Sequence, residues 1–209
     1  ISRLEAEDSR YAEQLGYRIK LLGITKHKAE GIELRVHPTL IPAKRLIANV
    51  EGAMNAVLVQ GDAVGATLYY GKGAGAEPTA SAVIADLVDV TRMATADPEN
   101  RVPHLAFQPD AVADIPVLPM AEVETSYYLR LRVEDKPGVL ADITRILADQ
   151  QISIDAMIQR EPGEGEMQTD IIMLTHVTRE RQIDGAIASI EALPVVKRKV
   201  IRLRLEELG

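Results

Sequence analysis

Two turns in the sequence combine glycine with the predicted start of a helix. Residues 71–75 read GKGAG and lead through Pro78 into apolar residues at helical spacing, and residues 134–144 read EDKPGVLADIT. Free backbone N–H groups at a helix start suit anionic ligand groups, and glycine lets a ligand approach the main chain without a Cβ in the way. Both sequences also fit ordinary structural turns, so the pattern alone leaves two interpretations open.

The first turn is not a dinucleotide-binding fingerprint. Gly71, Gly73 and Gly75 are spaced G-x-G-x-G, and reading from Gly73 places Pro78 where the third glycine of G-x-G-x-x-G should stand. An acidic, proline-rich stretch follows the predicted helix where a parallel strand would be needed, so the nucleotide-binding βαβ unit is absent here. The glycines either relieve crowding only, or they present backbone N–H groups to a polar ligand.

The second turn predicts Asp135 near the helix N-cap and Pro137 at the first helical position, with Gly138 giving room. The free N–H groups of this helix start would suit a ligand carboxylate, and Asp135 could meet a ligand ammonium group. On chemistry alone, the simple capped turn is the favoured interpretation of these residues.

Composition excludes several classes of function. The 209 residues include no Cys, only 3% aromatic residues and a net charge of −7. Disulfides and thiolate metal sites are therefore excluded, and a nucleic-acid partner is disfavoured because phosphate contacts need a basic surface. The four histidines are isolated, so we predict no metal site, and no nucleophilic triad is recognisable. No apolar run approaches the length of a membrane span, and we expect a cytoplasmic chain.

Periodicity predicts an α+β fold in three parts. Residues 1–95 read as a helix, four strands and a helix, forming part of a mixed or antiparallel sheet with helices. Residues 96–124 carry five prolines and predict a largely extended connector that lies along a surface. Residues 125–209 alternate as βαββαβ, the ferredoxin-like pattern with both helices on one sheet face.

The opposite face of that last sheet is predicted to combine arginines with apolar residues. We place Arg130, Arg132, Arg202 and Arg204 on it, because each alternates with apolar residues along its strand. Such a face is expected to be covered by a partner.

Four stretches of the chain resemble bacterial homoserine dehydrogenases. These stretches are YAEQLGYRIKLLGI (11–24), ELRVHPTLIP (33–42), NVEGAMNAVLVQGDAVGATLYYGKGAGAEPTASAVIADL (49–87) and YYLRLRVEDKPGVLADITRILA (127–148). The last one is similar to an ACT domain, an amino-acid-sensing module of biosynthetic enzymes. The resemblance implies that residues 1–95 are the later part of a substrate and dimerisation domain, followed by a linker and an ACT domain at 125–209.

The resemblance implies an enzyme that interconverts homoserine and aspartate 4-semialdehyde with NADP or NAD. By similarity, Gly75 lies next to the cofactor, with Gly73 as a weaker neighbour. The catalytic residues and the nucleotide-binding domain of the family would lie upstream, so no catalytic residue is named here. Because the chain begins with Ile1, we expect a fragment that is inactive alone.

For the ACT-like segment, the resemblance implies effector contacts at Asp135, Gly138 and Val139. Threonine is the natural effector, and a homo-oligomer is expected because ACT ligands commonly sit where two copies pair. Two alternatives to an enzyme fragment stay open: an amino-acid-sensing and dimerisation module, and a purely structural pair of dimer surfaces.

Overall fold

A computed structural model describes residues 4–95, 109–160, 165 and 167–208. The helices and strands, in chain order, are α1 (Ala6–Gln14), β1 (Tyr17–Lys28), β2 (Gly31–Pro42), β3 (Met54–Gly61), β4 (Gly65–Lys72), α2 (Ala76–Thr95), β5 (Glu124–Thr125), β6 (Tyr127–Glu134), α3 (Val139–Asp149), β7 (Ile154–Gln159), β8 (Gln168–Thr175), β9 (Thr178–Arg179), α4 (Glu180–Glu191) and β10 (Ile201–Leu205). Two units contain these elements, one from residues 1–48 and 116–209 and the other from residues 49–115. The predicted α+β class is confirmed.

The first unit is built on a six-stranded sheet in the order β1-β2-β10-β6-β8-β7. Its last four strands, with α3 and α4, reproduce the predicted βαββαβ order, and all pairs among those four strands are antiparallel. The two remaining strands, β1 and β2, form a long antiparallel pair that joins the sheet through a parallel pairing of β2 with β10. The ferredoxin-like sheet is therefore extended by strands from the first part of the chain.

Strand β2 contains a proline in its interior. The strand runs on to Pro42, and Pro38 stands opposite Leu21 of β1. On its other side, β2 pairs with β10 only at Thr39 and Leu40. Pro38 is not part of the pairing with β10. Its lack of an N–H therefore costs no hydrogen bond between β2 and β10.

Both faces of the sheet are covered within this unit. Helices α3 and α4 pack on one face, where the core includes Tyr127, Leu129 and Ile183. Helix α1 packs on the other face, where Tyr11 and Tyr128 are buried among side chains of β2, β8 and β10. The expectation that a partner covers this second face is thus corrected, because α1 of the same chain lies on it.

The prediction that four arginines share one face is wrong. Arg130 lies on the α1 face, opposite Ile201, whereas Arg204 stands opposite Tyr127 on the face covered by α3 and α4. Arg202 and Arg204 there form ion pairs with Glu180 of α4. Since apolar side chains are buried on both faces, alternation within a strand does not tell which face carries the charge.

The end of the predicted connector runs along β2. Pro116 accepts a hydrogen bond from the backbone N–H of Ile32 (2.9 Å), and the N–H of Leu118 donates to the carbonyl of Ile32 (2.9 Å). Gly31 is at φ 153°, and a Cβ there would stand 2.3 Å from the Pro116 carbonyl oxygen. Glycine is required at this position because the connector approaches the main chain so closely. Residues 96–108 of the connector lie outside the described residues.

The second unit contains the β3–β4 hairpin, whose strands are joined through residues 62–64, and helix α2. Both elements expose large apolar side chains, among them Val57 and Tyr69 on the hairpin and Ile84 and Leu87 on the helix. A two-stranded hairpin is marginally stable in water by itself. Apolar exposure on this scale marks surfaces that associate with other protein.

Candidate functional site: a pocket at the first loop of the ACT-like fold

A pocket of about 390 Å³ lies at the turn between β6 and α3. The structure brings the three predicted effector residues, Asp135, Gly138 and Val139, to its wall. Strands β6, β7 and β8 and the first turn of α3 complete it. The lining residues are Val133, Glu134, Asp135, Lys136, Pro137, Gly138, Val139, Leu140, Gln159, Thr169 and Ile171.

The start of α3 differs in detail from the prediction. Its N-cap is Gly138, and the helix begins at Val139, so neither Asp135 nor Pro137 has the capping role expected of it. Gly138 has φ 91°, and a Cβ there would meet nothing within 4 Å. The left-handed backbone, and not crowding, therefore favours glycine. Val139 is buried in the core beneath α3, which anchors the turn.

Two acidic side chains at the mouth of the pocket, Glu134 and Asp135, differ in their partners. The Glu134 carboxylate accepts hydrogen bonds from Lys136 Nζ (2.6 Å) and Lys197 Nζ (2.5 Å), and these lower its pKa to about 2. Asp135 is exposed, and among the described residues its carboxylate forms no ion pair. The backbone N–H of Asp135 donates to the carbonyl of Met167 (3.0 Å), and this bond fixes the main chain that carries the carboxylate.

This arrangement suits a small zwitterion. The Asp135 carboxylate is placed to meet a ligand ammonium, and the start of α3 offers N–H groups to a ligand carboxylate, which would compete with Glu134 for Lys136. Thr169 is buried, and its hydroxyl donates to the carbonyl of Arg160. The inner wall is apolar at Val133 and Ile171, which suits an apolar group on the ligand.

Sequence reasoning missed several residues of this pocket. Lys136 stands inside the quoted EDKPG string and could have been found there by its charge. Lys197 is 63 residues after Glu134 in the chain, and only the fold brings its ammonium group to that carboxylate. Gln159 and Thr169 come from other strands, and only their pairing in the sheet brings them to the first loop.

The Gly-rich turn of the second unit is exposed from Gly71 to Gly75. Gly75 has φ 132° and immediately precedes α2, whose Thr79 N–H donates to the Gly75 carbonyl (3.1 Å). The main chain of Gly75 is exposed, as a cofactor contact needs, although a Cβ there would stand 3.3 Å from Pro78 Cδ. Gly73 differs, because a Cβ there would stand 1.9 Å from Asn55 Nδ2. Packing against Asn55 is a sufficient reason for glycine at position 73.

Other candidates contribute little. Among the described residues, no group of three or more His, Asp or Glu side chains could hold a metal ion. His37 is buried on β2, its Nδ1 contacting Thr39 Oγ1 (3.0 Å), and it lines neither the pocket nor the Gly-rich turn. In the part of the chain that is described, no helix is long and apolar enough to cross a membrane.

Comparison with known proteins agrees with this geometry. Residues 127–195 match the family model "ACT domain", which contains the pocket loop, and residues 1–88 match the family model "Homoserine dehydrogenase". The family models and the fold thus define the class: a segment of a dehydrogenase family joined to an ACT domain. Within that class, residues 1–88 belong to the homoserine dehydrogenase family.

Relatives support the assignment along the whole chain. The chain is 57% identical to the homoserine dehydrogenase of Pseudomonas aeruginosa and 54% identical to that of Neisseria gonorrhoeae, covering 100% of this chain and 48% of each relative. A crystal structure of a homoserine dehydrogenase from Thiobacillus denitrificans is 71% identical with a TM-score of 0.91, covering 100% of this chain and 47% of that one. The chain spans about half the length of the curated relatives it matches.

Proposed function

We propose that this chain is part of an NAD(P)-dependent homoserine dehydrogenase and that its ACT domain binds threonine. The proposal rests on a single observation: one chain carries a homoserine dehydrogenase segment with an open glycine turn before α2, together with an ACT domain whose first loop lines a pocket. The reaction oxidises the hydroxyl-bearing carbon of homoserine to the aldehyde of aspartate 4-semialdehyde, with release of one proton. A nicotinamide coenzyme would supply the hydride acceptor.

The contribution of this chain to that reaction is positioning. The open main chain at Gly75 would form a wall against which the coenzyme is held, because hydride transfer needs the donor and acceptor carbons close together and fixed in orientation. No catalytic residue is assigned here. The domain division at 1–95, 96–124 and 125–209, the NADP or NAD requirement and the cytoplasmic location are part of the same proposal.

Replacing Gly75 by valine in the full-length enzyme is expected to raise the coenzyme KM about tenfold or more. The branched side chain would intrude on the open main chain, and φ 132° is unfavourable for it. Steady-state kinetics with varied coenzyme measure the effect. The matched control is Gly71→Val, since a Cβ at exposed Gly71 meets nothing within 4 Å. Equal KM values in both variants would remove Gly75 from the coenzyme site.

Replacing Asp135 by alanine is expected to weaken threonine binding about tenfold or more, because the ligand ammonium loses its anionic partner. Isothermal titration calorimetry on the full-length protein measures the change. Asp142→Ala is the control, since Asp142 is exposed on α3 and does not line the pocket. Wild-type protein that releases no heat at millimolar threonine would contradict the sensing function and leave the ACT domain a structural role.

We also propose that the protein is a homo-oligomer. Support comes from apolar side chains exposed side by side on the β1–β2 ribbon, with Leu21, Leu34 and Val36 all on one face. Light scattering of the full-length protein measures its mass, and a monomer would contradict the proposal.

A further inference from the structure

The ACT-type fold and the homoserine dehydrogenase segment share one unit. Strand β2 of the dehydrogenase segment pairs with β10, the last strand of the βαββαβ fold, at Thr39–Arg204 and Leu40–Leu205. The backbone N–H of Glu206 also donates to the carbonyl of Leu40 (2.9 Å). The sheet that carries the pocket is thus continuous with the enzyme segment.

Side chains join the same two segments across the second face of the sheet. The Asp8 carboxylate of α1 is 0% exposed and accepts hydrogen bonds from Tyr128 Oη (3.0 Å) and from Arg130 Nε (2.7 Å) and Nη2 (3.1 Å). Arg130 also donates to Glu5 (2.8 Å). Burial opposes the charged form of Arg130, but these acidic partners outweigh it and raise the pKa of its guanidinium.

A second buried ion pair links the segments on the opposite face. Arg35 of β2 donates to Glu206, and Lys26 of β1 also reaches Glu206 (2.7 Å). Breaking a buried pair leaves an uncompensated charge, which is costly. The enzyme segment therefore cannot shift on the ACT-type sheet without disturbing buried, directional bonds on both faces.

Strand β6 connects these bonds to the pocket. Tyr128 and Arg130 lie on β6, and the same strand ends at Val133 and Glu134, which line the pocket. Four residues of strand span about 13 Å, and an extended strand bonded to neighbours on both sides does not stretch. A ligand carboxylate that takes Lys136 from Glu134 would change the bonds at the end of this strand.

We propose that the Asp8–Tyr128–Arg130 cluster couples occupancy of the ACT pocket to helix α1 of the dehydrogenase segment. Asp8 is a positioning residue in this scheme: it contacts neither substrate nor effector, and it acts by holding β6 against α1. The inference rests on the proposed effector site for its ligand-dependent part. Because coupling between two sites is reciprocal, this proposal predicts that a change which loosens α1 also loosens the loop at 135–139.

Hydrogen exchange of the full-length protein, with and without threonine, tests the coupling. Asp8→Asn preserves the shape of the side chain but removes its charge, and it is expected to speed amide exchange about fivefold or more in both α1 and the loop at 135–141. In the wild type, threonine is expected to slow exchange at both places. Arg10→Gln is the matched control on the same helix, because Arg10 is exposed and pairs only with Glu7 among the described residues.

The outcomes separate the coupling from the effector site. Faster exchange in α1 with an unchanged loop in Asp8→Asn would overturn the coupling, as would threonine protection confined to the loop. If the wild type binds no threonine, the sensing function fails, and the loop exchange of Asp8→Asn alone decides the coupling. If the Asp8→Asn variant does not fold, as judged by circular dichroism, Tyr128→Phe replaces it in the experiment. This variant removes one hydrogen bond to Asp8, and the same changes in exchange are expected.

Discussion

Replacing Glu180 by alanine is expected to destabilise the protein by about 3–5 kcal/mol, the usual effect of removing one member of a buried ion pair. Glu180 is only 3% exposed, at the first position of α4. It accepts hydrogen bonds from Tyr127 Oη (2.8 Å) and Arg204 Nε (2.7 Å), and Arg202 lies 3.0 Å away. Alanine would leave the buried Tyr127 hydroxyl and the partly buried Arg204 guanidinium, whose side chain is 15% exposed, without their acceptor.

Electrostatics at this position supports the direction of that effect. Burial alone would raise the pKa of Glu180, but the bonds from Arg204 and Tyr127 outweigh it and lower the pKa. The native state therefore stabilises the charged carboxylate in spite of burial. The same burial and the bond to Glu180 raise the pKa of Tyr127, which stays protonated as the donor.

Urea unfolding followed by circular dichroism measures the loss. Asp184→Ala is the matched control on the same helix, since Asp184 is 57% exposed and pairs only with Arg202 among the described residues. An exposed pair contributes less than about 1 kcal/mol. Equal destabilisation by the two variants would show that the buried partners of Glu180 add nothing.

Local patterns predicted much of this fold. The βαββαβ order was confirmed because strand alternation and helical stripes are properties of short segments. The sheet face on which each arginine lies was not predictable. Both faces of the sheet are covered, so a strand with apolar residues on one side and arginines on the other can turn either side to the helices. The register of β10 against β6 decides which face each arginine occupies, and these two strands are far apart in the sequence.

The candidate site shows the same limit. The EDKPG string placed Asp135 and Gly138 at the pocket, because a strand-to-helix turn is local. Gln159 and Thr169 line the pocket only because their strands pair in the sheet, and their positions in the sequence do not indicate that pairing. In the Gly-rich turn, the pattern left two interpretations open for Gly73 and Gly75: relief of crowding, or contact with a ligand. The Asn55 side chain, 18 residues before Gly73 in the chain, accounts for glycine at position 73 by crowding.

Lowering the pH from 7 to 5 is expected to cost about 2 kcal/mol of unfolding free energy through His37 alone. His37 is 8% exposed. Burial, then the nearby cations Arg204 and Arg35, lower the pKa of its imidazole to about 4, although the Pro38 carbonyl and Glu180 favour the charged form. The unfolded chain takes up a proton near pH 6.5, while the folded state stays neutral to about pH 4. Stability is therefore complete above pH 7 and falls steadily towards pH 4.

Urea titrations at pH 7, 6 and 5 check the direction and the size of this effect. His37→Gln removes the titrating group and should flatten the profile in this range, whereas His27→Gln, at an exposed position of β1, should keep the wild-type slope. The pKa of the Glu134 carboxylate is about 2, so its pairing with two lysines stabilises the fold above pH 4.5 and is lost below that value. The pairing of Glu134 therefore does not contribute to the change in stability between pH 7 and 5. Equal loss of stability in the wild type and in His37→Gln would contradict this prediction. It would show that burial of His37 beside Arg204 and Arg35 does not keep the imidazole neutral.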